Sequence, residues 1–338
     1  MSDDKDLSSV HEIILDVYKE FRKICEKNNL RFFAISGTTI GAVLWKGIIP
    51  WDDDMDIAMP VEDYKKLLKL CSKKIIPNWM GFIEYKWFGL QLYDNRTMFT
   101  NVYYLNNPER FSGVSIDVVP LINIPNDKNE QKEFIDDFKR FHKAAIRYDR
   151  YNVSEEIKSE KEMCRWRERF LNAYKFGETD FVMDFSDDRY VLKASGFENP
   201  LIMKFEDTTI PVSSNYDEDL TIQYGKYKKY PPKEKRVSLH QQLSVIDLDK
   251  ACGEYGKILK ESPKEIWDII QVQHRYGGYC EEGVFARDES IKELMKNNER
   301  IMMDNEMLKD RIDRFEKNMF FKFGRKVKVI LKKIRKGV

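Results

Sequence analysis

Apolar residues recur at steps of three and four from Val10 through Ile13, Ile14, Val17, Tyr18, Phe21, Ile24 and Cys25. That is the period of a helix with one buried face. Ser8 or Ser9 is placed to cap it, with Glu12 in a capping box, and Asn28-Asn29 ends it. The pattern then changes. Residues 31–36 form a short apolar run that predicts a buried strand, Gly37 follows directly, and 38–45 predict a short helix. Residues 55–59, closed by Pro60, predict the next strand, and 61–71 a helix with Tyr64, Leu67, Leu68 and Cys71 inward. Strand-like stretches follow at 81–87, 89–93, 99–105 and 114–120. Two charged helical stretches, 129–151 and 155–175, predict an αα-hairpin with Phe134, Phe138, Phe141, Ala145 and Tyr148 inward. Short strands are expected at 181–185 and 202–205, and a short helix at 216–224 stopped by Gly225.

Beyond residue 250 the pattern is weaker. Ser262-Pro263 marks a helix start, and Gly277-Gly278 breaks that helix. Residues 288–318 are helical in composition. Their seam of Ile291, Leu294, Ile301, Met302, Met307, Leu308, Ile312 and Phe315 could support a coiled coil and a homo-oligomer. Residues 319–338 are basic and apolar with no acid, a composition that suits an amphipathic anchor at an anionic membrane face; an unstructured basic tail is the plainer alternative. The expected division is a catalytic domain over 1–250 with a helical insert at about 128–176, a helical extension over 251–318, and the tail.

Composition narrows the classes. The 338 residues leave room for one large domain or two ordinary ones, and 42% hydrophobic and 13% aromatic content supports a full core. A net charge of +1 argues against a broad nucleic-acid surface. Five scattered cysteines without CxxC spacing suggest neither a zinc site nor a disulfide framework, so a reducing cytoplasm fits. The polar start MSDDKDLSS shows no signal-peptide pattern, and no apolar run approaches the roughly 20 residues that span a bilayer. With the basic tail, the expected place is the cytoplasm, peripheral on the inner face of the cytoplasmic membrane.

The chemistry concentrates between Ser36 and Pro60. Asp52, Asp53, Asp54 and Asp56 fall within five positions. Carboxylates that close repel one another unless a cation sits among them. If the strand begins early enough, its alternation puts Asp52, Asp54 and Asp56 on one face and Asp53 on the other, in a supporting role. Hard oxygen ligands suit Mg²⁺, with Mn²⁺ as the alternative. An EF-hand loop counted from Asp52 would need glycine sixth and glutamate twelfth, where Ile57 and Asp63 stand. Gly37, Thr38 and Thr39 form a strand-to-helix turn whose N–H groups and hydroxyls favour phosphate. Asp117 lies in an apolar strand, where it is either paired or metal-bound, or at a strand end facing water. In the basic loop at 226–236, Lys235 or Arg236 reaches an anionic ligand unless the loop is plain solvated surface. His240 is a candidate proton carrier, or a structural histidine.

A Gly-polar turn, a D-x-D strand and a later apolar-Asp-apolar strand, in that order, resemble the nucleotidyltransferase fold of the polymerase-β type. The segment GTTIGAVLWKGIIPWDDDMDIAMPVEDYKKL resembles the signature of the LicD family, the phosphocholine transferases of bacterial surface polysaccharides related to the fukutins. The likeness continues in GVSIDVVPLINIPND at 113–127, and in the apolar-Pro-Val, YG-x-Y and PP-x-EKR blocks within 205–240, covering about residues 10–240. Two positions depart: Leu44 stands where the family often has arginine, and Met55 where it has isoleucine. Leu44 bears on which group near Lys46 steadies the donor.

The resemblance implies an α+β fold, a mixed sheet flanked by helices. It implies a CDP-linked alcohol as donor, phosphocholine foremost, and a sugar hydroxyl of a surface glycan or its lipid-linked oligosaccharide precursor as acceptor. Asp52, Asp54, Asp56 and Asp117 would hold metal, with Asp117 the better general base. Gly37, Thr38, Thr39, Lys46, Lys235 and Arg236 would hold the donor.

Overall fold

A computed structural model describes residues 7–101, 104–105, 107–151, 154, 156–187, 189–233, 236, 238 and 244–261. Helix α1 (Ser8–Lys27) buries Val10, Ile14, Val17, Tyr18, Phe21, Ile24 and Cys25, the face its periodicity marks out. Full burial of each large apolar side chain contributes roughly 1.5–3 kcal/mol. The expected capping box is absent. Leu7 takes the cap position and offers no side-chain acceptor, because the helix starts at Ser8 and the serines already lie in its first turn. Asn28 ends it as expected.

The short strand β1 (Phe33–Ala34) turns directly into α2 (Ser36–Leu44). An irregular stretch leads to β2 (Asp56–Pro60), and α3 (Val61–Ser72) follows at once. Strands β3 (Met80–Glu84), β4 (Leu90–Asp94) and β5 (Met98–Asn101) precede the long β6 (Ser115–Ile124). Helices α4 (Lys128–Tyr151) and α5 (Glu160–Leu171) form the expected hairpin. The chain continues through β7 (Phe181–Asp184), β8 (Leu192–Lys193), the short α6 (Ser195–Glu198), β9 (Leu201–Phe205), β10 (Thr208–Val212) and α7 (Tyr216–Tyr224). It closes with β11 (Ser244–Asp247) and α8 (Cys252–Lys260), which the sequence pattern did not announce. The expected C-terminal helix, its seam and the basic tail lie outside the described residues.

The sheet is mixed, in the order β3-β4-β6-β2-β1-β10-β9, with β7 and β8 joined beside the far half of β6. β2 runs parallel to β6 and β1 parallel to β10; the other pairs are antiparallel. Alternation sorts the side chains of the central strands. Ile57, Met59, Ile116 and Val118 pack with α1 and α3 on one face. Ala58, Val119 and Leu121 pack on the other with Phe33 and Phe197. The α4–α5 hairpin forms a second apolar core with Ile122, Ile124, Met183 and Phe185. This is the α+β architecture expected, a mixed sheet flanked by helices. Among the described residues, no helix is long and apolar enough to cross a membrane.

The end of β7 carries a buried carboxyl. Burial pushes Asp184 up to about 6, although its Oδ1 accepts hydrogen bonds from the Ser186 N–H at 2.9 Å and Ser186 Oγ at 2.6 Å. A folded-state value above the unfolded one means the folded chain binds the extra proton. Stability from this group is therefore gained as pH falls from about 6 toward 4, and the charge is a full penalty above that window. Asp184→Asn keeps the acceptor oxygen and removes the charge. It should stabilise the protein at pH 7.5 by roughly 2–3 kcal/mol, with the gain vanishing near pH 4. Thermal melts of both proteins across that range check this; a gain that does not change with pH would contradict it.

Candidate active site

Residues 51–55 are irregular and β2 starts only at Asp56. The alternation expected to line up Asp52, Asp54 and Asp56 therefore stops short of the first two. Instead the bend gathers Asp52, Asp53 and Asp54, each offering a carboxylate oxygen within 4.8 Å of the others. Asp53, expected on the opposite face, lies in this group and is 4% exposed. The Ser238 hydroxyl donates to Asp53 Oδ2, so the loop after α7 reaches the cluster. From α1, His11 Nε2 donates to the Asp52 carbonyl at 2.7 Å and ties the bend to the helical layer.

The next aspartate belongs to the sheet. Asp56 on β2 pairs in register with Asp117 on β6, and Asp117 pairs in register with Gln91 on β4. In-register neighbours on adjacent strands point to the same side, and the strands lie about 4.8 Å apart. Gln91 Nε2 donates to Asp117 Oδ1 at 3.2 Å, and the Asp117 N–H donates to the Met55 carbonyl at 2.8 Å. By alternation Asp56 and Asp117 share the face of Ala58 and Val119, opposite α1.

The turn into α2 braces these aspartates. Thr38 Oγ1 accepts from the Asp56 N–H at 2.8 Å, and Thr38 is buried. A Cβ at Gly37 would lie 3.0 Å from Asp52 Oδ2, so the missing side chain leaves that carboxylate room beside the helix start. Thr39 is buried in the same turn. Lys46 is exposed, with a positive φ of 58°. Its carbonyl accepts from the Glu206 N–H at 2.7 Å, and Glu206 Oε1 accepts from the Ile48 N–H at 2.9 Å. The β9–β10 turn thus holds the backbone of this loop.

Tyr224, the last residue of α7, is about half exposed and lies near the aspartates. Burial pushes its phenol up, and the charge of Asp56 adds to this, while a hydrogen bond with Ser36 opposes it. Beside the carboxylates opens a cavity of about 230 Å³. Asp54, Asp117, Tyr85, Trp87, Tyr104 and Arg150 are among the residues that line it.

Comparison with known proteins places this arrangement. Residues 29–147 match the family "LicD/FKTN/FKRP, nucleotidyltransferase domain". The chain carries a LicD-family domain. The lipopolysaccharide cholinephosphotransferase LicD of Haemophilus influenzae is 23% identical over 261 residues, 69% of this chain and 96% of that protein. An uncharacterized protein of Rickettsia typhi is 31% identical over 83 residues, 25% of this chain and 23% of its own length. Another, of Rickettsia prowazekii, is 42% identical over 50 residues, 15% of this chain and 19% of its own. The LicD match begins just before β1 and ends inside α4, so it takes in the three-aspartate bend and both aspartate strands.

Within the LicD domain the candidate carboxylates fall into two sets, the bend (Asp52, Asp53, Asp54) and the strand pair (Asp56, Asp117). Arg236 lies outside that match. Its guanidinium stands 5.3 Å from the Trp51 ring and 5.7 Å from the Tyr230 ring, and its Nε donates to the Pro231 carbonyl at 2.9 Å. It is thereby stacked next to the residue that opens the aspartate run. Lys235 and His240 lie outside the described residues. Residue patterns alone missed His11, Gln91, Tyr224 and Ser238. Each reaches the site from a distant part of the chain, and only the YG-x-Y motif around Tyr224 carried a signal.

The Thr38 contact is directly testable. Thr38→Val leaves a buried N–H of Asp56 without its acceptor, which should cost roughly 1–3 kcal/mol. Thr38→Ser should restore most of it. Denaturant unfolding without ligand reads this, and equal stability of Thr38→Val and the unaltered chain would show the contact to be dispensable.

Proposed function

We propose that this protein transfers a phospho-alcohol, phosphocholine foremost, from a CDP-linked donor to a sugar hydroxyl of a surface glycan or its lipid-linked precursor. The observation that carries the reading is the in-register pair of Asp56 and Asp117 beside the three-aspartate bend, within a LicD-family domain. The name of the Haemophilus relative supplies the alcohol and points to lipopolysaccharide as a class of acceptor.

The donor set fits a hard divalent cation. All the ligating atoms are carboxylate oxygens, and three carboxylates converge within 4.8 Å, an arrangement suited to Mg²⁺ or Mn²⁺. Asp52, Asp54, Asp56 and Asp117 would hold it, and the position of Asp53 adds a fifth candidate. When bound, the metal supplies neutralisation of the donor's diphosphate and of the charge that develops at the transferring phosphorus.

The protein's own groups do the rest. The acceptor oxygen attacks the phosphorus that carries the alcohol. One P–O bond forms, the P–O bond to CMP breaks, and the hydroxyl proton passes to a carboxylate. Asp117 is the carboxylate for that proton, because Gln91 fixes one of its oxygens and orients the other. His11 and Ser238 hold the bend in place, so that carboxylates that repel one another stay together without rearranging at each turnover. Arg236, Lys235 and Lys46 would meet the donor's phosphates, and His240 would be a further proton carrier. The basic tail would hold the protein at an anionic membrane face, where a lipid-linked acceptor is presented.

Titration calorimetry of CDP-choline, CDP-ribitol and CTP, with Mg²⁺ and with EDTA, tests the reading. One CDP-alcohol should bind only with metal, and Asp54→Ala/Asp56→Ala should abolish that binding. Asp117→Asn should lower turnover by about 10²–10⁴-fold with donor binding largely kept. Binding of CTP alone would indicate nucleotidyl transfer instead, and no metal-dependent binding would indicate a scaffold.

A further inference from the structure

We propose that the aromatic wall of the cavity beside Asp54 and Asp117 receives the quaternary ammonium head of the transferred alcohol; this rests on the transferase reading above. Three features of the cavity support it.

The first is size. At about 230 Å³ the cavity is below the roughly 300–1,000 Å³ that encloses a whole drug-sized ligand. It takes one end of a CDP-alcohol, and its aspartates place that end next to the reacting phosphorus. The alcohol is the group bonded there.

The second is charge. The charged side chains lining the cavity are Asp53, Asp54 and Asp117 against the single guanidinium of Arg150. Tyr85, Trp87 and Tyr104 add ring faces, whose negative quadrupole attracts cations. The Arg150 guanidinium already lies 5.3 Å from the centre of the Trp87 ring, so that ring takes a delocalised cation in this fold. A trimethylammonium group has no N–H to satisfy. Apolar ring faces with carboxylates nearby suit it better than hydrogen-bond acceptors would.

The third is rigidity. Tyr85 and Tyr104 stand 5.4 Å apart, and Trp87 lies 6.3 Å from Tyr85. Asp149, near the end of α4, fixes two of the three rings from behind. Its Oδ2 accepts from Trp87 Nε1 at 3.1 Å and from the Tyr104 hydroxyl at 3.2 Å. Arg110 closes the network at 2.7 Å from the same oxygen, with its guanidinium 5.4 Å and 5.5 Å from the Tyr85 and Tyr104 rings. Neither Asp149 nor Arg110 lines the cavity. The wall is thus set before a ligand arrives.

The test replaces one atom of the ligand and, separately, one ring of the wall. CDP-choline, CMP and the uncharged isostere CDP-3,3-dimethylbutanol, in which carbon replaces the quaternary nitrogen, are titrated into the full chain with Mg²⁺. CDP-choline should bind at least about tenfold tighter than the isostere, and Trp87→Leu should narrow that gap. Equal affinity for CDP-choline and the isostere in the unaltered protein overturns the wall assignment and leaves the transferase reading standing. Trp87→Leu weakening CMP as much as CDP-choline also overturns it, because the ring would then be stacking cytosine. Binding of neither CDP-alcohol overturns the wall assignment and the transferase reading together.

Discussion

The site depends on one backbone constraint, the parallel pairing of β2 with β6 in a register that sets Asp56 against Asp117. A slip of one residue would turn one of the two carboxylates to the opposite face, into the layer of Ile57, Met59, Ile116 and Val118 beneath α1. That layer is fully apolar, and a charge forced into it would meet a large desolvation penalty. The core therefore enforces the register, and the register fixes the carboxylate pair. The geometry of the acidic pair is in this sense a by-product of where the apolar residues of two strands must go.

The three-aspartate bend is held differently. It has no ladder of its own, and its supports come from far apart in the chain: His11 at the start of α1 and Ser238 beyond α7. Such a cluster gains from attachment to several elements at once, because mutual repulsion would otherwise spread the carboxylates. It also sits between two structural layers, so movement of α1 or of the loop after α7 would be felt at the site.

Much of this was legible in the sequence, and the limits have physical causes. Helices α1, α3, α4 and α7 and strands β4, β6 and β9 followed from period and punctuation, because each buries one continuous face or run. The aspartate run announced a charged site, and Asp117 stood out as a carboxylate within an apolar strand. The face assigned to Asp53 did not follow, because strand alternation does not reach residues 52–54, which are irregular and precede the start of β2. The cap on α1 failed for a related reason: a serine one position inside a helix looks the same in sequence as one just outside it. Strand β11 and the contacts of His11, Gln91 and Ser238 are tertiary. Nothing in the local pattern of residues 244–247 says that they pair with 98–101.

That last pairing has an evolutionary consequence. β11 returns the chain to β5, and Tyr227 is anchored upstream by its hydroxyl on Asp217. Between these two fixed points, the described residues Arg236 and Ser238 stand beside Trp51 and Asp53. Closing a connection between fixed points depends only weakly on its length, about 0.6 kcal/mol for each doubling. Insertions and deletions there are cheap in stability, while they change what stands over the carboxylates. What stands over the acidic pair can therefore change with the length of this connection, with the sheet left as it is.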